Sequence, residues 1–281
     1  MQSIRAWVEG SPYAAALGVQ CEDLLPESIS LLLPYAEQNA NPGKALHGGC
    51  AASLGVIASQ AIARATLGTE AGPFYTAGLQ VSYLAAAIGE DVKAEGRLLR
   101  RGRNMCFAEV EVATLEGKQI ARATRMVRGR FGADAAELRA SRGDDGATDP
   151  GPMGPQIGKL NFGRARGLEI EHMADSYARI TMPLAEANAD VDGGMHEGAV
   201  LALLDTTGAM AAWAETGPGP YKASTPALQA QILTPPPKQD LIAYGRVVQR
   251  DADGFWSDVE VAGQGDGRVV ARGTVLYRIV T

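Results

Sequence analysis

Asp205 is the side chain whose surroundings most favour chemistry, because it is the one charged residue in a mostly apolar run, residues 199–210. Desolvation in such a run raises the pKa of a carboxyl group and makes it a stronger base or nucleophile. A second candidate is the pair His47-Gly48, which directly precedes another apolar run. Unpaired backbone N–H groups at a helix start can polarise a carbonyl oxygen, and a glycine there permits close approach. Together these groups suit delivery of water or a carboxylate to a carbonyl carbon.

The chain contains two copies of one sequence. Residues 13–113 recur at 162–262 with a constant displacement, which carries His47 to His196 (196 − 47 = 149). A gapless match over about a hundred residues indicates that two copies of one domain are fused. We therefore predict a first domain at 1–130, a second at 161–281, and between them a linker at 131–160. This linker is rich in Gly, Pro and Asp and is expected to hold one short helix at 134–142.

Composition limits the classes of partner. The 281 residues are 46% apolar and carry a net charge of −6. A sizeable core can therefore form, and nucleic acid or an anionic membrane surface is disfavoured as the main partner, since both demand a basic face. The three cysteines (Cys21, Cys50 and Cys106) have spacings that indicate neither a disulfide framework nor a zinc site, and no metal is expected. The N-terminus lacks signal-peptide features and no stretch reads as long and apolar enough to span a bilayer, so we expect a cytoplasmic protein.

Each copy shows the same order of predicted elements. A short strand (30–35; 179–183) leads into a polar loop that ends in a His, and an apolar run follows at 49–67 and 198–215 whose length and residue types favour helix. A helix that is apolar nearly all round needs to be wrapped by other elements. Segments of period-two alternation come next, separated by Gly-rich and charged turns, as in an antiparallel sheet. The predicted fold class is α+β, with two tandem domains that each wrap a curved antiparallel sheet around one central apolar helix.

The segment from Asn41 to His47-Gly48-Gly49, followed by the apolar helix and by Thr76, resembles the hotdog-fold acyl-CoA thioesterases of the phenylacetate-pathway (PaaI-like) group. The pattern in that family is Asn, six residues on His-Gly-Gly, and Asp or Glu nine residues beyond the His. The resemblance covers both copies. It implies two hotdog domains paired within one chain like the subunits of a dimer. It also implies hydrolysis of an acyl-CoA thioester without a metal or redox cofactor, with coenzyme A present only as part of the substrate.

The two copies divide this motif unequally. In the first copy the Asn, the His and both glycines are present, but the position nine after the His (47 + 9 = 56) holds Val56. In the second copy that position (196 + 9 = 205) holds Asp205, while Asp190 and Glu197 replace the Asn and the first glycine. Each copy is therefore incomplete alone.

The resemblance implies that each site takes its Asn, His and glycine from one domain and its carboxylate from the other. The complete site would bring together Asn41, His47, Gly48 and Asp205. The mirror site would bring together Asp190, His196, Glu197 and Val56. We therefore predict one working site per chain.

Further roles complete the predicted site. By the family's arrangement Thr225 would hold the attacking water beside Asp205, and Thr76 would lie in the mirror site. His47 would act more as an orienting group than as the base, and Gly49 would offer its amide to the substrate. An arginine cluster is a candidate for the phosphates of coenzyme A, because guanidinium groups suit phosphate; it comprises Arg100, Arg101 and Arg103.

Each of these residues also has a purely structural interpretation. A buried Asp205 could be satisfied by a nearby hydroxyl or amide, and His47 could cap the helix. The glycines could simply start a crowded helix, and Asn41 could form a turn before Pro42. The arginine cluster could be a solvated surface.

Three functions remain open at this point. The first is the acyl-CoA thioesterase. The second is a hotdog hydratase or dehydratase for enoyl or hydroxyacyl thioesters, which the four residues between Pro42 and His47 disfavour. The third is a non-catalytic acyl-CoA binder, which a degenerate mirror site would suit. Two fused chains are expected to pair further as a homodimer.

Overall fold

The computed structural model describes residues 1–129, 138–140 and 146–280. The helices are α1 (Gln2–Gly10), α2 (Pro12–Leu17), α3 (Gly48–Leu67), α4 (Gly154–Ile157), α5 (Asn161–Arg166) and α6 (Glu197–Thr216). The first six strands are β1 (Gln20–Leu25), β2 (Ser28–Leu33), β3 (Phe74–Tyr83), β4 (Val92–Arg101), β5 (Met105–Thr114) and β6 (Gln119–Gly129). The second six are β7 (Glu169–Ala174), β8 (Tyr177–Met182), β9 (Lys222–Ile232), β10 (Leu241–Arg250), β11 (Gly254–Gly263) and β12 (Val269–Val280).

The displacement found in the sequence holds for the observed elements. The start of α3, Gly48, maps to the start of α6, Glu197 (48 + 149 = 197), and the two helices end at equivalent residues, Leu67 and Thr216. Each central helix packs against the strands of its own half and is buried along most of its length. The predicted α+β class, with an apolar helix wrapped by an antiparallel sheet in each half, is therefore confirmed.

All twelve strands belong to one antiparallel sheet, in the order β1-β2-β4-β5-β6-β3-β9-β12-β11-β10-β8-β7. The two halves join where β3 pairs with β9. There Gln80 stands opposite its own counterpart, Gln229 (80 + 149 = 229). An antiparallel pairing of equivalent residues is what a two-fold axis generates, so the two domains are arranged like the subunits of a symmetric dimer.

The two central helices cross side by side through glycines. A Cβ on Gly49 would lie 2.6 Å from the Cβ of Ala202, and a Cβ on Gly198 would lie 2.8 Å from Ser53 Oγ. Only residues without a side chain allow this approach. The close crossing brings the start of each helix beside the second or third turn of the other. A composite site requires this proximity, because it takes residues from the start of one helix and from the middle of the other.

The linker and the apolar helix of the first half differ from the sequence-based expectations. Residues 134–137 and 141–142 of the predicted short helix lie outside the described residues, whereas residues 138–140 are not helical and Arg139 forms an isolated bridge with Arg268. From residue 146 onward the predicted linker is packed on the second half, with α4 against β7. The sequence-based expectation that no stretch is long and apolar enough to span a bilayer is wrong, because one helix has the required length and composition. The helix Gly48–Leu67 is long and apolar enough, with a mean hydropathy of 1.3 over its most apolar 18 residues. However, 78% of those residues are buried, as in the core helix of a folded domain.

Candidate active site

The start of α3 meets the middle of α6 at the junction of the two halves, and this crossing brings Gly48 and Asp205 together. A Cβ on Gly48 would lie 2.8 Å from Asp205 Oδ2 and 3.5 Å from the ring of Tyr83. Thr225, on β9, donates from Oγ1 to Asp205 Oδ1 at 3.1 Å. Gly48 and Tyr83 of the first half therefore face Asp205 and Thr225 of the second half across a shared space.

Asp205 is a buried carboxyl group with raised basicity. It is 3% exposed, and burial raises its pKa to about 6 while the hydrogen bond from Thr225 partly offsets that rise. Its Oδ1 is held by Thr225, whereas Oδ2 faces Gly48 and accepts no hydrogen bond from the described residues. A carboxylate that is ionised at neutral pH and keeps one oxygen open can act as a base or a nucleophile.

His47 acts as the N-cap of α3. Its Nδ1 accepts from the Gly49 N–H at 3.0 Å, and its ring stacks on Phe162 of the other half with centroids 3.9 Å apart. Burial lowers the pKa of His47 to about 4, so the imidazole is neutral at pH 7 and carries its proton on Nε2. The capping interpretation of His47 is the one that the geometry displays, and no hydrogen bond joins it to Asp205 in the described part of the chain.

The amide N–H of Gly48 has no hydrogen-bond partner among the described residues, whereas the next two amides of the turn are both bonded to His47. The carbonyl of the same residue accepts from the Tyr83 hydroxyl at 3.2 Å, which fixes the first peptide of α3. A free N–H at the positive end of a helix, on a residue whose absent Cβ leaves room beside Asp205 Oδ2, can hold a developing oxyanion.

Tyr83 is a residue of this candidate site that the sequence analysis did not identify. The available signal was its counterpart in the second copy, Ile232 (83 + 149 = 232), which lacks a hydroxyl. Gly48, Tyr83 and Asp205 are the positions of this site at which the two copies differ in chemistry.

We expect Gly48→Ala to lower kcat/KM by roughly ten- to a hundredfold, because the new Cβ would displace Asp205 Oδ2, and small displacements in a site cost rates of this order. Steady-state rates of thiol release at substrate concentrations well below KM measure the effect. Gly78→Ala is the matched control, since its Cβ would meet only Met126 Cε at 3.9 Å. Equal rates for the two variants would contradict the crowding argument.

Asn41 lies in an exposed turn. Its N–H donates to the Ala45 carbonyl at 2.8 Å, and its own carbonyl accepts from the Lys44 N–H at 2.9 Å. Its side chain makes no hydrogen bond within residues 1–129, 138–140 and 146–280. The structure thus shows the turn interpretation and does not bring the amide to Asp205, so a catalytic role for Asn41 stays a prediction.

Gly49 differs from its predicted role. Its amide hydrogen is already bonded to His47 Nδ1, and its Cα faces Ala202 at the helix crossing. The amide is therefore not free to bind a substrate, and the absence of a side chain is explained by packing. Gly48, one residue earlier, keeps the open amide.

The arginine cluster lies at the other end of α3. Arg101 stands opposite Cys106 in the β4–β5 pairing, and Cys106 packs with Ala63 near the end of the helix. Fifteen residues of helix separate Ala63 from Gly48 (63 − 48 = 15), or about 22 Å at the usual rise. The three arginines, Arg100, Arg101 and Arg103, are exposed and are not brought to Asp205. Their role toward coenzyme A stays a prediction.

The mirror site is filled by its own side chains. The Glu197 carboxylate is 5% exposed and accepts from the Thr76 hydroxyl at 2.7 Å, from the Thr76 N–H at 3.2 Å and from Gln60 Nε2 at 2.9 Å. It also pairs with the Arg125 guanidinium at 2.5 Å, and Arg125 Nη1 donates to the Val56 carbonyl at 2.6 Å. A buried ion pair with this many hydrogen bonds leaves no open carboxylate there.

Arg125 has no counterpart in the complete site. The turn before β12 is one residue longer than the turn before β6, so Ala123 corresponds to Gly273 and Arg125 to Val275 (125 + 150 = 275). Thr76 and Thr225 occupy equivalent places, one on Glu197 and one on Asp205. Within the described residues, no group of three or more His, Cys, Asp or Glu side chains could hold a metal ion.

Sequence comparison finds one family match, within the first half. Residues 36–128 match the acyl-CoA thioesterase N-terminal domain family. This segment contains His47, Gly48 and Tyr83 of the site and Arg125 of the mirror site. None of the curated protein sequences compared with the chain matches it.

Solved structures establish the fold over nearly the whole chain. The tesB protein of Mycobacterium avium subsp. paratuberculosis superposes with a TM-score of 0.67 at 12% identity, covering 96% of this chain and 100% of that one. A putative thioesterase II from Thermobifida fusca gives 0.65 at 14%, covering 96% and 98%. A hot dog fold protein from Alicyclobacillus acidocaldarius gives 0.65 at 16%, covering 93% and 96%. These structures share the tandem hotdog fold with this chain, whereas the phenylacetate-pathway group stays a prediction.

Proposed function

We propose that this chain, which has a tandem hotdog fold and whose residues 36–128 match the acyl-CoA thioesterase N-terminal domain family, hydrolyses an acyl-CoA thioester to the free acid and coenzyme A at one composite site. The observation that carries the proposal is the approach of Asp205 Oδ2 to Gly48 across the junction of the two halves, with Thr225 on the other carboxylate oxygen. No cofactor is proposed beyond the coenzyme A of the substrate.

The proposed reaction uses both halves. The thioester oxygen accepts from the Gly48 N–H, which polarises the carbonyl. Asp205 takes a proton from water, and the water oxygen adds to the carbonyl carbon. The carbon–sulfur bond then breaks, and the thiolate of coenzyme A leaves and takes up the proton. In the covalent variant Asp205 Oδ2 itself adds to the carbon, and water then hydrolyses the acyl anhydride. One turnover in ¹⁸O-labelled water tests the covalent route, because label enters the Asp205 carboxyl group only when water attacks the aspartyl carbon of an anhydride.

Free-thiol release from a panel of aryl- and aliphatic-CoA thioesters tests the proposed function. Saturable release from at least one thioester supports it. Binding of the same esters without release would favour the non-catalytic binder, and hydration of an enoyl-CoA without release would favour the hydratase. Either of these two outcomes would overturn the thioesterase proposal for this chain.

We expect kcat/KM of the wild type to rise with pH through about 6 and then to level off. Asp205 acts in its ionised form, and its pKa is about 6. His47, with a pKa of about 4, is already neutral across that range. The pH dependence of kcat/KM between pH 4.5 and 9 measures this rise, the acidic limb of the profile. A flat profile over that range would mean that the acting carboxyl group is not this buried one.

We also propose that two chains pair as a homodimer and that the protein works in the cytoplasm. An open groove of about 1040 Å³ crosses the solvent face of the sheet at the junction and carries charges of both signs, among them Arg246, Asp258 and Arg272. A mixed-charge surface near a two-fold axis can complement a second copy of itself. The cysteines are all free and buried, as is usual in a reducing compartment. Light scattering should give the mass of two chains.

A further inference from the structure

Tyr277 lies beside the Asp205–Thr225 pair. In the β9–β12 pairing, Ser224 stands opposite Arg278 and Ala227 opposite Leu276, so Tyr277 lies at the bulge between them, opposite Thr225 and Pro226. Val275, two residues earlier and on the same face of the strand, is the side chain that a Cβ on Gly208 of α6 would meet. Tyr277 therefore projects toward α6 from the position next to Thr225.

Trp213 fixes the phenol of Tyr277. The indole Nε1 donates to the Tyr277 oxygen at 3.1 Å. Trp213 lies on the same face of α6 as Asp205, two turns later, and helical side chains lean back toward the N-terminus. Ala209, halfway between the two, is small. The phenol oxygen is thus held over the turn that separates Trp213 from Asp205.

This arrangement leaves the phenol hydrogen available. An indole N–H only donates, so the phenol oxygen is the acceptor of that bond and its own hydrogen is left to donate. No acceptor for it occurs within the described residues. Burial, and further the charge of Asp205, raise the pKa of Tyr277 to about 12, so the hydroxyl is protonated at neutral pH.

The mirror site lacks both residues of this pair. Val127 occupies the position of Tyr277 (127 + 150 = 277), and Arg64 occupies the position of Trp213 (64 + 149 = 213). The mirror site also lacks a carboxylate at the position of Asp205, where it has Val56. The indole–phenol pair therefore accompanies the carboxylate in one site and is absent from the site without it.

We propose that Tyr277 is a positioning residue for Asp205, with Trp213 orienting the phenol so that its hydrogen points at the carboxylate, directly or through one water. This inference rests on the proposed function. A hydroxyl dipole directed at a carboxylate favours the ionised form. Tyr277 therefore lets Asp205 act as a base at a lower pH than burial alone would permit.

Other titratable groups near Asp205 do not interfere with a test by pH. Cys50 faces it from α3 and Tyr83 from β3; burial raises the pKa of Cys50 to about 12 and holds that of Tyr83 well above its ordinary value. A limb of the rate profile near pH 6 consequently reports Asp205.

The test compares the pH profiles of kcat/KM for the wild type and three variants. Tyr277→Phe is expected to move the acidic limb upward by about 0.5 to 1 pH unit, with kcat/KM reduced at pH 5.5 and close to wild type at pH 8.5. Trp213→Phe is expected to move the limb in the same direction by less. Tyr221→Phe is the matched control, because its ring stacks on Trp213 at 6.2 Å without a hydroxyl bond among the described residues. It should leave the limb in place.

Each outcome decides the inference. An unmoved limb in Tyr277→Phe, or an equal loss of rate at every pH, would overturn the positioning role, since a purely structural tyrosine produces only those results. If Tyr277→Phe does not fold, the limb of Trp213→Phe decides in the same way. An active wild type with no limb near pH 6 would instead overturn the role of Asp205 in the proposed function, and the inference with it.

Discussion

Asp205→Asn is expected to lower kcat for thioester hydrolysis by at least about a hundredfold, the scale usual for a catalytic group. Asparagine keeps the shape of the side chain and can still accept the hydrogen bond that Thr225 now donates at 3.1 Å. It cannot take a proton from water or add to the carbonyl carbon. Steady-state thiol release at pH 8 measures the loss.

The same substitution is expected to raise the free energy of unfolding at pH 8. The ordinary pKa of this carboxyl is 3.8 and its folded pKa is about 6, so the folded state holds the proton more tightly and stability falls as pH rises from about 4 through about 6. Two pKa units correspond to roughly 3 kcal/mol. The neutral amide removes that cost, so Tm should exceed that of the wild type at pH 8 and the two should converge near pH 4.

Val56→Ala is the matched control, because Val56 occupies the equivalent position in the mirror site (56 + 149 = 205). It should leave kcat nearly unchanged, although truncating a fully buried valine lowers stability. Full activity in Asp205→Asn would show that the site is wrongly assigned, even if the reaction is right. A strong loss in Val56→Ala would show that both sites work.

Arg125→Met is expected to lower the free energy of unfolding by about 3–5 kcal/mol, the usual cost of removing one partner of a buried pair. Arg125 has a side-chain exposure of 0% and is bonded to Glu197 and to the Val56 carbonyl. Its removal leaves the Glu197 carboxylate buried with only Thr76 and Gln60 as donors. Urea unfolding at pH 7 measures the change.

Arg122→Met, three residues away on the same strand, is the control for that loss. Arg122 is 49% exposed and pairs with Glu109 at 2.7 Å. That carboxylate, 9% exposed, also keeps Arg97 at 2.5 Å, so loss of the half-exposed Arg122 should cost about 0–1 kcal/mol. Similar small losses in both variants would mean that the mirror-site pair adds little to stability. A selective drop in kcat for Arg125→Met, without unfolding, would mean that the mirror site takes part in the reaction.

Much of the fold could be predicted because the chain repeats it. The predicted apolar runs at 49–67 and 198–215 agree within one residue at each end with the helices Gly48–Leu67 and Glu197–Thr216. A helix that is apolar all round has few ways to be buried, so wrapping by a sheet followed directly from its composition. The apolar helix and the period-two segments that follow it were sufficient to predict the α+β class.

The site was only partly predictable. That Gly48, Asp205 and Thr225 approach one another depends on a crossing between helices far apart in sequence, which the family resemblance implied and no local pattern could. Tyr83 and Arg125 were missed because each acts through a tertiary contact. The hydrogen bond that removes the Gly49 amide from use depends on the rotamer of His47, and this too is set by packing, against Phe162.

The continuous sheet through β3 and β9 has a consequence for inheritance. In a dimer of identical subunits, one codon specifies the same residue at both sites, so a change that improves one site and one that damages it always arrive twice. Here each position of one site and the equivalent position of the other have separate codons in one gene. A glycine at 48 and a glutamate at 197 can therefore be selected independently. The site with Asp205 can be selected for catalysis, while the mirror site can be selected for the stability that its buried ion pair between the halves provides.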